Sequence, residues 1–169
     1  MDFFEVIEHR QSVRKYLPRP VEETKLQQIL KAVNGAPSAG NFQAYEVYVV
    51  RGQERTQALA GMTFDQKFIA EAPVALVFCT HAARCQYEGI QDIMAMQDAS
   101  VACTFAMLAL EALGLATCWV GAFVPAKVAA HLGIPDGQVP MAILPIGYAN
   151  ETPERTTRRE LSDLVHEVK

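Results

Sequence analysis

The chain has 169 residues and a formal net charge of −4, and its length fits one domain over residues 1–169. Half of the residues are apolar and a fifth are charged, which is typical of globular proteins and excludes a disordered or collagen-like chain. The acidic balance, with a pI of about 5.6, argues against a nucleic-acid-binding protein, which would carry a broad basic face.

The N-terminal segment and the cysteines favour a cytoplasmic protein. The first ten residues, MDFFEVIEHR, lack the basic and then apolar order of a signal peptide. No uninterrupted apolar stretch reaches about 18 residues, so we expect no transmembrane span. Cys79, Cys103 and Cys118 lie in apolar runs, as reduced core cysteines do. Because no CxxC pair or zinc-finger spacing occurs, we expect no metal site.

Apolar spacing predicts the elements of the N-terminal half. Phe3, Phe4, Val6 and Ile7 mark one face of a short first helix, for which Asp2 is the expected cap. The other elements predicted here are an extended segment through Pro18 and Pro20, a helix at Glu22–Val33 closed by Gly35, a loop at Ala36–Ala44, a strand at Glu46–Val50, a helix at Gln53–Gly61 and, on a weaker pattern, a helix at Phe64–Glu71.

The C-terminal half contains two long apolar segments. Pro73–Thr80 is a nearly continuous apolar run and predicts a strand covered on both faces. Asp92–Leu113 is apolar on nearly every side and predicts a central helix. The remaining predicted elements are a strand at Ala116–Val120, a turn at Gly121–Ala122, a helix at Pro125–Leu132, a strand at Val139–Tyr148 that Pro140 and Pro145 would place at an edge or bulge, and a short segment at Glu160–Val168.

The order of these elements favours an α+β fold. Strands and helices are mixed without strict alternation, and a doubly wound parallel sheet would require such alternation.

A basic cluster at Glu8–Tyr16, EHRQSVRKY, reverses the sign of an otherwise acidic chain. Arg10, Arg14 and Lys15 flank Ser12, and guanidinium groups with a hydroxyl suit a bound phosphate. The alternative is a solvated charge run, and this stretch alone slightly favours that alternative.

Three other regions could contact a ligand. The loop Pro37–Gln43 offers side-chain amides and a hydroxyl that could read the edge of a planar heterocycle, or these residues are simply what a loop needs. Leu113–Phe123 contains an apolar strand that runs into Gly121, where backbone N–H groups could approach a ligand. The alternative is a buried strand followed by an ordinary turn. Arg155–Arg159 could join the first cluster around one dianion, or form a solubilising tail.

The usual catalytic motifs are absent from the sequence. It contains no GxGxxG, GxxxxGK[ST], GxSxG or HExxH, and its four histidines are scattered. Phosphate-binding clusters without a reactive constellation suggest that a cofactor carries the chemistry.

Taken together, these segments resemble the nitroreductase family of flavin enzymes. HRQSVRKY is similar to the family's N-terminal signature, and APSAGNFQAYEVYVV is similar to its Ala-Pro-Ser-x-x-Asn-x-Gln-Pro-Trp loop and following strand. FIAEAPVALVF, DASVACTFAMLALEALGLATCWVGAF, PIGYA and RRELSDLV then match in order and in spacing. The resemblance covers nearly the whole chain.

The resemblance implies a three-layer α/β/α sandwich with a mixed, mainly antiparallel sheet, in an intertwined homodimer with FMN at its interface. It implies an NAD(P)H-dependent oxidoreductase that passes hydride through flavin N5 to a nitroaromatic, quinone or similar acceptor; the alternative is a flavin-binding or sensing module without turnover. The implied cofactor contacts are Arg10, Gln11, Ser12, Arg14, Pro37, Ser38, Ala39, Asn41, Gln43, Val120, Gly121, Ala122, Arg158 and Arg159.

Three features of the sequence depart from the family pattern. Ala39 stands where a second Ser is common, Gln11 replaces a basic residue, and Gln43-Ala44-Tyr45 replaces Gln-Pro-Trp. The chain is also shorter than many nitroreductases, and we expect part of a helical insertion between Gly61 and Asp98 to be missing.

Overall fold

A computed structural model describes residues 1–168, and its helices and strands follow the predicted order. The helices are α1 (Phe3–His9), α2 (Glu23–Asn34), α3 (Gln53–Ala60), α4 (Gln91–Ala112), α5 (Pro125–Leu132) and α6 (Leu161–Leu164). The strands are β1 (Tyr45–Arg51), β2 (Val74–Thr80), β3 (Ala116–Thr117) and β4 (Val139–Gly147), and short 3-10 turns occur at Ala39–Asn41, Lys67–Glu71 and Ala82–Arg84. The segment Phe64–Glu71 therefore contains a 3-10 turn at Lys67–Glu71 and not the predicted helix.

The four strands form one antiparallel sheet in the order β1-β2-β4-β3. Every residue of β2 is buried, which confirms the prediction of a strand covered on both faces. Ser12 forms an isolated parallel bridge with Thr117 of β3. This bridge places the N-terminal basic segment beside the sheet.

Of the two alternatives that the prolines of β4 predicted, an edge position or a bulge, the structure shows the bulge. Strand β4 lies between β2 and β3 and pairs with both. The predicted bulge is present, because the register with β2 shifts where Cys79 pairs with Pro140 and Phe78 pairs with Ala142. A bulge tolerates Pro140, which has no N–H for the ladder.

Alternate residues of β2 face two different cores, because side chains of a strand alternate between its faces. Leu76 and Phe78 pack with α2 and α4. Ala75 and Val77 pack with residues of α3 and α5 on the other face. The helices therefore cover both sides of the sheet.

Helix α1 has the predicted cap but not a buried apolar face. Asp2 accepts the N–H groups of Phe4 and Glu5, and Glu5 in turn accepts the N–H of Asp2. Val6 is buried, whereas Phe3 and Phe4 are 61% and 77% exposed. The sequence pattern is amphipathic, but nothing within residues 1–168 covers most of its apolar side.

Helix α4 is central, as predicted, yet it also carries exposed apolar side chains. Ala99, Ala102, Cys103 and Ala106 are fully buried, while Ile93 is 57% exposed. By length and composition α4 is the one helix in the described chain that could cross a membrane, whereas the sequence predicted a central core helix here and no transmembrane span. Core helices of globular proteins meet the same criterion.

Candidate functional site

The N-terminal segment after α1 is fixed along the β3 side of the sheet. Val13 N–H donates to Thr117 O at 3.0 Å, and Leu17 N–H donates to Tyr148 O at 2.9 Å. Between them Tyr16 is 4% exposed, and its hydroxyl donates to Val13 O at 2.8 Å. Burial raises the pKa of Tyr16 well above its ordinary value. The segment that carries Arg10 and Arg14 thus has a defined backbone course.

The residues after β4 return to this same segment. Asn150 N–H donates to Lys15 O at 2.9 Å, and Glu151 Oε1 accepts the N–H of Arg14 at 2.5 Å. Further on, Arg155 Nη2 donates to the carbonyl oxygen of Glu8 at 2.7 Å. The two basic clusters, nearly the whole sequence apart, therefore lie side by side.

A cavity of about 380 Å³ opens between these two segments. Its polar lining consists of Glu8, Arg10, Gln11, Ser12, Arg14, Glu154, Arg155, Thr156 and Arg158. Within residues 1–168 neither Arg10 nor Arg14 forms an ion pair, and Arg155 pairs with Glu8. Four arginines against two glutamates leave a net charge of +2 in an acidic protein.

The donor groups of this cavity fit a phosphate-bearing ligand. Arg14 is exposed at the cavity, and its guanidinium also lies 6.0 Å from the ring of Phe68. Ser12 adds a hydroxyl, and the Oε1 atom of Gln11 is buried without a partner. A buried polar atom of this kind costs free energy unless a ligand or water satisfies it. The unpaired cations and this acceptor together have the chemistry that suits an anion which also carries hydroxyl or N–H groups.

Arg158 and Arg159 occupy different positions relative to the cavity. Arg158 lines it, with Nη1 donating to Thr156 Oγ1 at 2.7 Å and to Thr157 O at 3.1 Å. Arg159 is exposed and does not line the cavity. Of Arg158 and Arg159, only Arg158 therefore joins Arg155 at the first cluster.

The loop Pro37–Gln43 does not contribute to this cavity within one chain. The backbone is in the left-handed region at Gly40, Asn41 and Gln43, with φ of 54°, 58° and 51°. Ser38 Oγ accepts the N–H of Gln43 at 3.1 Å, and Gln43 Nε2 donates to Asn41 Oδ1 at 3.0 Å. The loop has a defined conformation in which the side chains of Asn41 and Gln43 are held together.

The turn after β3 is a third, separate location. Val120 is buried and bridges to Ile143, whereas Gly121 and Ala122 are exposed. Ala122 O accepts the N–H of Phe64 at 3.0 Å, so the short segment at Phe64 lies beside the turn. Within residues 1–168, the backbone N–H groups of Gly121 and Ala122 donate to no backbone carbonyl, so both are free to donate to a ligand.

Sequence reasoning missed one residue of the loop region, Asp98. It is 3% exposed in the middle of α4, and its carboxylate accepts the N–H groups of Ala39 at 2.8 Å and Ala44 at 3.2 Å. The signal in the sequence is an acid in the alanine-rich, apolar middle of this helix.

The four cysteines are free and buried. No group of three or more His, Cys, Asp or Glu residues that could hold a metal occurs within residues 1–168. The cavity between the two basic segments is therefore the site whose chemistry points to a ligand.

The sequence is similar to a known family over most of its length. The profile described as the nitroreductase family matches residues 7–66 and 54–148. An FMN reductase (NAD(P)H) of Bacillus subtilis is 32% identical over 157 residues, covering 83% of this chain and 63% of the relative. An NADH dehydrogenase of Thermus thermophilus is 31% identical over 172 residues, covering 84% of each chain.

Solved structures show the same likeness in three dimensions. A nitroreductase family protein of Clostridium difficile superimposes with a TM-score of 0.85 at 31% identity, with 98% of both chains covered. A nitroreductase family protein of Streptococcus pneumoniae has a TM-score of 0.90 at 20% identity, covering 99% of this chain and all of the other. The second likeness concerns the fold alone.

Proposed function

The chain belongs to the nitroreductase family, and on this basis we propose that it is an FMN-dependent oxidoreductase that oxidises NAD(P)H and reduces a small acceptor. It is an oxidoreductase of the NAD(P)H nitroreductase or FMN reductase type. The cofactor, the acceptor and the site residues below are our proposals, as is the treatment of residues 1–169 as one FMN-binding domain.

One observation carries the proposal of FMN. Two arginines without acidic partners, Arg10 and Arg14, line a cavity that Arg158 reaches from the far end of the chain. A phosphate monoester carries nearly two negative charges at neutral pH, and the net charge of the cavity offsets them. We place the FMN phosphate against these guanidinium groups, with Gln11 and Ser12 on the ribityl chain and the pyrimidine edge.

The other predicted contacts require a second copy of the chain. Pro37, Ser38, Ala39, Asn41 and Gln43 do not line the cavity of their own chain. The exposed apolar side chains of α1 and α4 support a homodimer in which this loop completes the partner's site. We therefore propose one FMN per chain, bound between two subunits in an intertwined dimer with the mixed sheet expected of the family.

The chain's own residues bind and orient; they do not form a set of general acids and bases. When bound, FMN supplies the hydride chemistry. We assign the backbone N–H groups of the exposed residues Gly121 and Ala122 to the isoalloxazine edge, with the buried Val120 behind them. Hydride transfer depends on the approach of donor and acceptor atoms to about 3–3.5 Å, which favours flat acceptors such as nitroarenes and quinones.

An anaerobic titration tests this function. The FMN-loaded protein is mixed with NADH or NADPH, and the flavin absorbance near 450 nm is followed. We expect bleaching, and recovery of the absorbance when a nitroarene or p-benzoquinone is added. Stable absorbance with both pyridine nucleotides would contradict the proposed activity and leave a flavin-binding module.

A further inference from the structure

The carboxylate of Asp98 joins the two ends of the loop that follows α2. Oδ1 accepts the N–H of Ala39 and Oδ2 accepts the N–H of Ala44. Each oxygen thus fixes one end of a stretch that includes Asn41 and Gln43. The carboxylate thereby links this stretch to α4, the central helix of the fold.

The loop between these two anchors has a backbone that needs such support. Asn41 and Gln43 are not glycines, yet both have φ in the left-handed region, where residues with a Cβ are strained. Such residues keep this conformation only where the surrounding structure enforces it. The two hydrogen bonds that Asp98 accepts lie at either end of the strained stretch. They hold the loop in this conformation.

Burying the carboxylate of Asp98 costs desolvation free energy, which packing alone does not offset. Asp98 is 3% exposed among Ala95, Ala99 and Ala102, which are fully buried, and it has no cationic partner within residues 1–168. A buried carboxylate without a cation requires strong hydrogen bonds to offset its desolvation. Here both hydrogen bonds are accepted from backbone N–H groups of the loop, so the free energy they contribute stabilises the loop's conformation.

We propose that Asp98 is a positioning residue for the cofactor: it acts through the loop Ala39–Ala44, which it holds in the conformation that meets FMN in the partner subunit's site. This inference rests on the proposed function, since it assigns the loop to the FMN site. It predicts that loss of Asp98 weakens FMN binding without opening the rest of the fold.

The test uses Asp98→Ala, Asp98→Asn and a matched core variant, Leu110→Ala. Leu110 is fully buried further along α4 and packs in the core, away from the loop. For each variant the dissociation constant of FMN is measured by quenching of flavin fluorescence. Amide hydrogen exchange is measured on the apo-protein over residues 36–45 and 100–112, and the melting temperature is recorded.

We expect Asp98→Ala to raise the FMN dissociation constant at least tenfold, and Asp98→Asn by a smaller factor because the amide keeps one acceptor. Exchange should rise over residues 36–45 and remain as in the parent over 100–112. Leu110→Ala should lower the melting temperature but keep FMN affinity within twofold. If Asp98→Ala does not fold, Asp98→Asn decides by the same two measurements.

Two results would overturn the inference: FMN affinity within twofold of the parent in a folded Asp98 variant, or an equal loss of affinity in Leu110→Ala. Failure of the proposed function looks different, because the parent protein itself would then not bind FMN. In that case the exchange of residues 36–45 would still show whether Asp98 holds the loop.

Discussion

Individual arginines distinguish the cavity from the rest of the surface. Arg19 and Arg51 are each paired with a glutamate at about 3 Å, as is common in an acidic protein. Arg10 and Arg14 have no such partner in the described chain and face a cavity instead. This difference is a physical reason to assign an anion to the cavity and not to the surface at Arg19 or Arg51.

Replacing Arg10 by Ala should weaken FMN binding by about 1.5–3 kcal/mol, because one hydrogen bond to a charged group is lost. This corresponds to roughly a 10- to 150-fold rise in the dissociation constant, measured by titration of the apo-protein with FMN. Arg51→Ala is the control, since Arg51 is exposed and paired with Glu23. Equal affinities of Arg10→Ala and Arg51→Ala would remove Arg10 from the site.

Buried thiols should make the fold less stable at alkaline pH. Burial, with the nearby Glu46, raises the pKa of Cys79 to about 12, and burial also raises the pKa of Cys103. A thiol in the unfolded chain ionises near pH 8.5. Above that pH the unfolded chain loses protons that the folded chain keeps, so the free energy of unfolding falls as the pH rises.

The expected loss is about 2 kcal/mol per thiol by pH 10, measured by urea unfolding at pH 7, 8.5 and 10. Cys103→Ala should show a shallower fall than the parent, because one of the two thiols is gone. A free energy of unfolding that stays constant from pH 8.5 to pH 10 would contradict this assignment.

At the scale of elements, the N-terminal segment depends on a glycine in β4. A Cβ atom at Gly147 would lie 2.9 Å from Cδ1 of Tyr16, closer than carbon atoms pack. Tyr16 in turn is the buried anchor of the segment that carries Arg14. The absence of a side chain at Gly147 therefore positions one wall of the proposed FMN site.

Gly147→Ala should destabilise the protein by about 1–3 kcal/mol through overpacking and should also weaken FMN binding. Gly35→Ala is the matched control, because its Cβ would lie 3.4 Å from the nearest atom at a φ of −82°. Urea unfolding and FMN titration of both variants make the comparison. An unchanged unfolding midpoint in Gly147→Ala would mean that Tyr16 is not held as described.

Most elements were predictable because their signals are local. The ends of α2, α4 and α5 follow from capping residues and apolar periodicity, and each lies within about a residue of its predicted bounds. Strand β3 is shorter than predicted, because its continuous pairing with β4 covers only Ala116 and Thr117, and Val120 then forms an isolated bridge to Ile143. Tertiary pairing decides that length, and it also places β4 inside the sheet despite its prolines.

At the scale of the whole molecule, the two basic segments that line the cavity could be predicted from the sequence, but the remaining residues of the proposed site could not be placed. Two distant basic clusters could be matched by charge, and the structure brings them together. The role of Asp98 could not be predicted, because its hydrogen bonds depend on the packing of α4 against the loop. In the proposed function, the relation of the loop Pro37–Gln43 to the cavity depends on a second chain, which the sequence of one chain does not place.

The proposed homodimer predicts that exposed apolar residues of α1 are covered in solution. Sedimentation of the FMN-loaded protein should show a dimer, and Phe4→Glu should weaken both the dimer and FMN binding, because Phe4 is 77% exposed in the single chain. Val139→Glu, at an exposed apolar residue of β4, should change neither. A stable monomer that binds FMN as tightly as the parent would exclude a shared site.

The most direct test of the phosphate site compares FMN with riboflavin, which lacks the phosphate, in titrations of the same apo-protein. Because at least two charge-assisted contacts to the phosphate are expected, riboflavin should bind at least about 100-fold more weakly than FMN. Equal binding of the two flavins, or no binding of FMN, would contradict the claim that Arg10, Arg14 and Arg158 meet around one phosphate.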